Sequence, residues 1–179
     1  MLNLRNKQRG FTIVELLIVI VVIGILAAIT IVAYNGVQER ARAVAIADGF
    51  KKIDKAFQLF AIEEGRSTWW LDSELTGSGN PHIGSVISNT NLKNYLQSEP
   101  SVSGMNSSYW IYDNDGETRN LSVCEASATG VNIAFENTNA AQALAVDKII
   151  DDGNLNCGHL RSISSTEIQY NLSGAQGVN

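Results

Sequence analysis

The sequence predicts an α+β protein: a long N-terminal helix, apolar in its first half and amphipathic in its second, packed on a small antiparallel β-sheet. Three observations carry that prediction. Residues 11–34 form an apolar run of about 24 residues, long enough for a membrane span, in which Glu15 is the sole charge. Ile46, Phe50, Ile53, Phe57 and Phe60 then recur at spacings of four, three, four and three, which puts them on one face of a helix. Farther on, short segments rich in β-branched and aromatic residues alternate with turn clusters, as the strands of a small sheet do.

At 1.5 Å per residue the first run reaches about 36 Å, enough to cross a hydrocarbon layer of about 30 Å. Arg5, Lys7 and Arg9 precede it with no acid among them. The positive-inside rule therefore puts residues 1–10 in the cytoplasm and everything after Tyr34 outside. A secretory signal peptide shares the basic start and apolar centre but needs small residues at a cleavage site beyond that centre, and Ile31-Val32-Ala33 is a poor one. Glu15 argues against a signal peptide and against a plain anchor, because a carboxylate in hydrocarbon costs about 2.5–3.5 kcal/mol and neither has a use for it. It needs a partner.

The stretch Gly10-Phe-Thr-Ile-Val-Glu-Leu-Leu-Ile-Val-Ile-Val-Val-Ile-Gly-Ile-Leu-Ala-Ala-Ile closely resembles the N-terminus of type IV pilins and the related pseudopilins. The resemblance implies a pilin-like fold and a set of roles. Residues 1–10 become a leader removed after Gly10, Phe11 the N-methylated mature terminus, residues 11–34 the transmembrane and assembly helix, and residues 35–179 the extracytoplasmic globular domain. It implies a prepilin peptidase and N-methyltransferase, an inner-membrane assembly platform, the membrane itself, and identical or related pilin subunits as partners. The subunit would sit as a single-pass protein in the cytoplasmic membrane and then enter an extracellular pilus for adhesion, motility or surface attachment. The alternative is a periplasmic pseudopilus of a type II secretion or DNA-uptake apparatus.

By the same resemblance Glu15 is the assembly carboxylate, and its use has a physical statement. A free amine at Phe11 is charged and lies four residues from Glu15, at the same level of one helix turn. In a bundle of staggered helices the amine of an incoming subunit neutralises the Glu15 of its neighbour inside an apolar core, where an unpaired charge is strongly unfavourable. The plainer reading is a glutamate that snorkels to the headgroups. Pilins usually carry Pro shortly before the Ala-Tyr that ends the apolar half; here Val32 precedes Ala33 and Tyr34, and valine neither removes a donor nor kinks a helix.

Charge and cysteines bound the outer part. Without the three leader cations, ten Lys and Arg stand against eighteen Asp and Glu, a side-chain charge of −8. Binding phosphates depends on clustered cations, so nucleic acid is not an expected partner. The nearest thing to a basic strip, Lys51, Lys52 and Lys55 with Asp54 among them, reads as a solvated helix face. Cys124 and Cys157 both fall outside the membrane, where disulfides persist, and pilins commonly close a C-terminal loop in this way. His82 and His159 would complete a zinc set, but Cys157-Gly158-His159 is not a usual structural zinc spacing and His82 follows a Gly-Ser-Gly-Asn-Pro loop. No metal is expected.

The remaining elements follow in order. The amphipathic helix joins the apolar one without a break signal, so residues 11–64 read as one helix of about 54 residues, stopped by Gly65. The next forty or so residues are turn-rich around 77–81, with Trp69 and Trp70 expected as a lid over the core. Residues 92–100 read as a short helix stopped by Pro100. Residues 109–112 and 120–124 read as a hairpin about the polar turn 113–117, residues 131–135 as a third strand, 139–150 as a second helix of about three turns and 167–170 as the last strand. Asp147 and the loop from Asp151 to Asn156 gather oxygen ligands, but the twelve-residue calcium pattern is absent and a solvated turn or helix cap is the expected role. The two histidines lie far apart, neither cysteine sits in a nucleophile motif and no phosphate-binding Gly loop occurs, so neither enzymatic activity nor a cofactor is expected.

Overall fold

The computed structural model describes residues 10–65, 81–102, 110–113 and 131–172. The chain divides into two units after Gln38. Helix α1, Ile13–Glu63, supplies the described helix of the first unit and the opening element of the second. It runs unbroken through Val32, Ala33 and Tyr34, in keeping with the absence of a proline there. Gly65, at φ +63°, takes the left-handed conformation that closes a helix, and its amide reaches back to the Ile62 carbonyl.

In the first unit every described residue is exposed, including all the apolar ones. This helix is long and apolar enough to cross a membrane, and none of its apolar window is buried, which separates it from the core helix of a soluble domain.

The second unit is built on the outer part of α1. Ile46, Phe50, Ile53, Phe57 and Phe60 are all buried, so the expected apolar face is the packed one. Lys51, Lys52 and Lys55 are exposed, and Lys52 pairs with Asp48 at 2.7 Å along the solvent side. Asp54 departs from the expected solvated face: it is buried. The helix period explains this, since Asp54 lies four residues from Phe50 and three from Phe57 and so falls within the apolar stripe, about 40° from Phe50.

Four strands make the sheet: β1 Trp110–Asp113, β2 Asn132–Glu136, β3 Leu160–Ser164 and β4 Glu167–Asn171, in the order β1-β2-β4-β3 with every neighbouring pair antiparallel. Helix α3, Ala140–Ile150, connects β2 to β3 across the intervening β4. Register lines up Trp110, Phe135 and Ile168 in one row and Tyr112, Ile133, Tyr170 and Leu160 in the next. These rows face α1: Phe50 meets Trp110, Phe135 and Tyr170 at ring-centroid distances of 4.9, 6.5 and 5.5 Å, and Phe57 stacks on Tyr112 at 5.5 Å. The opposite face is tied by polar bonds, from Gln169 Nε2 to Asp113 Oδ2 at 2.6 Å and from Asn171 Nδ2 to Asn132 Oδ1 at 3.0 Å.

Several expectations meet a different outcome. Part of the region read as turn-rich is a helix, α2, Ile83–Asn89, whose Ile83, Val86 and Ile87 bury themselves at helical spacing. The short helix expected at 92–100 is only a 3₁₀ turn at Asn91–Asn94, capped by Thr90, whose hydroxyl accepts from the Leu92 amide. The strand β3 had no forecast, because Arg161-Ser162-Ile163-Ser164 carries little β-branched or aromatic content. The described partner of β1 is β2, while its Ile111 also bridges His82. The expected strand at 120–124, the turn at 114–117, Trp69 and Trp70 lie outside the described residues.

Candidate functional site

The start of α1 carries the site. Thr12 and Glu15 close a reciprocal bond set around the first turn. The Thr12 amide and hydroxyl donate to Glu15 Oε2 at 2.9 and 2.8 Å, and the Glu15 amide donates back to Thr12 Oγ1 at 3.2 Å. This is a capping box, in which Thr-x-x-Glu satisfies amides that the first helical turn leaves without intrahelical partners. The carboxylate also lies at the positive end of the helix dipole. The need of Glu15 for a partner is therefore met in part within its own chain. Thr12 is the functional residue that sequence reasoning missed, and its signal was the spacing Thr12-Ile13-Val14-Glu15.

Both local donors converge on Oε2; among the described residues Oε1 accepts no bond. Phe11 is 91 % exposed, and it lines a shallow depression together with Glu15, Leu16, Ile18 and Val19. The structure thus brings the two residues assigned to assembly, Phe11 and Glu15, to one place. Gly10 stands just before the helix, and a Cβ there would meet nothing within 4 Å. The fold itself makes no demand for glycine at this position.

From Leu16 to Ala33 the exposed helix surface is apolar but for one hydroxyl. Thr30, the one hydroxyl in the run 16–33, donates to the Ala27 carbonyl at 2.9 Å, so it needs no outside partner.

The other singled-out residues lie in the second unit. Cys157 sits in a turn where its amide donates to the Asn154 carbonyl at 2.8 Å, and Cys124 lies outside the described residues. His82 stands at the N-cap position of α2 without a side-chain cap bond, and the His159 and Tyr170 ring centroids lie 6.3 Å apart. Asp147, Asp151 and Asp152 place carboxylate oxygens within 4.8 Å of one another.

A family model described as the prokaryotic N-terminal methylation motif matches residues 5–31. The type IV major fimbrial protein FimA of Dichelobacter nodosus strain VCS1703A is 36% identical over 96 residues, 51% of this chain and 51% of that protein. Another FimA of Dichelobacter nodosus and a protein of that organism named fimbrial protein are each 49% identical over 51 residues, 27% of this chain and 32% of theirs. The chain thus spans from about a third to about half of the length of these curated relatives. No solved structure matches significantly. The methylation motif is laid over the capped start of an exposed apolar helix, and the fimbrial relatives match that same region, so the N-terminal part of the chain is similar to that of type IV pilins.

Proposed function

We propose that this chain is a structural subunit of a type IV pilus-like filament. It is cut after Gly10, held in the cytoplasmic membrane by residues 11–34 with residues 35–179 outside, and assembled through that helix. The observation that supports this most is the combination of an apolar helix surface exposed from Phe11 to Tyr34 with the methylation motif at its start. A contiguous apolar face far beyond the few hundred Å² that monomers tolerate must be covered. Lipid covers it before assembly and neighbouring helices afterwards. The Phe11 amine of one subunit meets Glu15 Oε1 of the next while Oε2 stays with Thr12. The work is mechanical: adhesion, motility or surface attachment, without catalysis. Electron microscopy of sheared surface filaments, followed by mass spectrometry, tests the reading. Filaments containing this chain support it, and filaments of the same cells from which it is absent overturn it.

Processing gives a direct prediction. The mature protein should begin at an N-methylated Phe11, and Gly10→Val should block maturation, although among the described residues a Cβ at residue 10 meets nothing within 4 Å. Intact-mass measurement of the membrane form decides it. A mature start near Tyr34 would refute processing after Gly10 and, with it, the retention of the apolar helix.

A second prediction concerns the cysteines. Cys124 and Cys157 should be linked within one chain, closing a loop of about 34 residues and restricting the unfolded chain by roughly 3.5–4 kcal/mol. Non-reducing peptide mapping of protein taken from its native compartment should return the linked pair. Two free thiols there would defeat the pairing.

A further inference from the structure

The sheet ends in two edge strands, β1 and β3, and each has its outward amides taken up by one carboxylate and one carbonyl. On β1 the Trp110 amide donates to Glu99 Oε1 at 3.1 Å and the Tyr112 amide to the Pro81 carbonyl at 2.9 Å. On β3 the Leu160 amide donates to Asp151 Oδ2 at 3.2 Å and the Ser162 amide to the Leu155 carbonyl at 3.0 Å. The His159 amide donates to the same Asp151 oxygen. All the acceptors along β3 belong to residues 151–157, so a loop occupies the place of a fifth strand.

The approach of that loop depends on one glycine. Gly158 has φ +83°, and a Cβ there would overlap the Asp151 carboxylate, so glycine supplies both the left-handed turn and the room for the latch. Beneath the loop, β3 lacks the usual defences of an edge strand. It holds no Lys and no Pro, and its one charge, Arg161, is buried with Nε donating to the Gly158 carbonyl. A bulge between Ser162 and Ser164 blunts the far end, which leaves Leu160 and Ser162 to the loop. Two bare β3 strands laid antiparallel about Ser162 would exchange both Ser162 backbone bonds and set Arg161 against Ile163, with no like charges opposed.

We propose that residues 151–157 are a strap, latched by Asp151 and admitted by Gly158, that masks a second self-association surface: the β3 edge, whose partner is β3 of another copy of this chain. The closed strap confines association to other parts of the molecule, because an edge whose amides are already bonded offers no template for a further strand. The inference rests on the sheet alone and stands apart from assembly through residues 11–34.

The test uses the full chain with detergent micelles in excess, read by residue-resolved amide hydrogen exchange and by light scattering across a range of protein concentrations. In the wild type, Leu160 and Ser162 should be protected. Asp151→Ala should speed exchange at Leu160 and Ser162 about tenfold or more, the loss expected for a bond to a charged acceptor, while Phe135 and Ile168 in the middle of the sheet stay protected. Gly158→Ala, which crowds the latch without removing it, should expose the same two amides, and Asp151→Asn, which keeps an oxygen acceptor, should leave them near wild type. Asp151→Ala should also associate with rising concentration beyond the wild type. Adding Ser162→Pro should suppress that association, since it removes the outward amide and spares the β4 side, where Ser162 faces Ile168 as a pair without ladder bonds. Rapid exchange at Leu160 and Ser162 in the wild type overturns the strap, as does unchanged exchange in Asp151→Ala. Loss of protection at Phe135 and Ile168 as well would make Asp151 a support of the whole sheet and overturn it too. Association of Asp151→Ala that never exceeds the wild type, or that survives Ser162→Pro, overturns the masked surface.

Discussion

Subunits carrying Glu15→Ala are expected to be cleaved and held in the membrane yet to form no filaments on their own. In the proposed contact, removing one side of a buried ion pair would leave the Phe11 amine of the neighbour unpaired, a loss on the order of 3–5 kcal/mol at each subunit contact. Insertion survives, since the segment only becomes more apolar. The capping box complicates this substitution and also supplies its control. Glu15→Ala breaks the bonds to Thr12 as well, and loss of a helix cap alone costs about 0.5–2 kcal/mol. Thr12→Ala removes the cap hydroxyl and keeps the charge, so it should reduce filament yield far less. Glu15→Gln keeps an acceptor for the Thr12 amide and should fall between Thr12→Ala and Glu15→Leu. Filament yield is read by shearing and quantitative blotting, against the amount of processed subunit in the membrane. Equal defects in Thr12→Ala and Glu15→Ala would reduce Glu15 to a helix cap. Normal yield from Glu15→Ala would remove the carboxylate from assembly altogether.

What was legible in the sequence follows the range of the forces involved. The apolar run and the 4-3-4-3 recurrence from Ile46 to Phe60 are local periodicities, and both set the fate of α1 in the fold. The alternation along 131–135 and 167–170 likewise reports strands that turn Ile133, Phe135, Ile168 and Tyr170 inward. The strand order β1-β2-β4-β3 is set by pairings between segments far apart in the chain, which no window reveals. Strand β3 forms because β4 offers it a partner edge and Leu160 a place in the core, although its serines have little preference for the conformation. Helix α2 was hidden by the Gly and Pro around it; its Ile83, Val86 and Ile87 spacing was visible but short. At the candidate site the sequence pointed to Gly10, Phe11 and Glu15 through the motif. Thr12, which holds the Glu15 carboxylate, required attention to capping rather than to hydrophobicity. Asp147 read as one of several loop acids, because its burial depends on packing that only the folded chain supplies.

The second large effect is expected where Gly49 meets Trp110. Trp110 is fully buried and fixed from several sides: its indole N–H donates to the Pro100 carbonyl at 2.7 Å, its amide to Glu99 Oε1 at 3.1 Å, and its ring meets Phe50 and Phe135 at 4.9 and 4.6 Å. The ring lies directly on the backbone of α1 at Gly49. A Cβ there would overlap Trp110 Cζ2 and Cη2 and stand 3.4 Å from Pro100 Cβ. Trp110→Ala should therefore cost about 3–5 kcal/mol by emptying the centre of the helix-sheet contact. Gly49→Ala should also destabilise, even though alanine favours the helix by about 1 kcal/mol. Overpacking costs typically 1–3 kcal/mol, and here the displaced group is a hydrogen-bonded ring with aromatic neighbours rather than a flexible tip. Thermal denaturation and near-ultraviolet circular dichroism of the full chain in detergent should show a lower midpoint for each. The cause is separable by combination. In Gly49→Ala with Trp110→Leu the clash is gone, so adding Gly49→Ala to Trp110→Leu should cost little or even stabilise, a departure from additivity that contact between the two positions demands. If Gly49→Ala alone melts at or above the wild type, the indole does not need the glycine, and the close approach of sheet to helix at this point is not what holds the domain together.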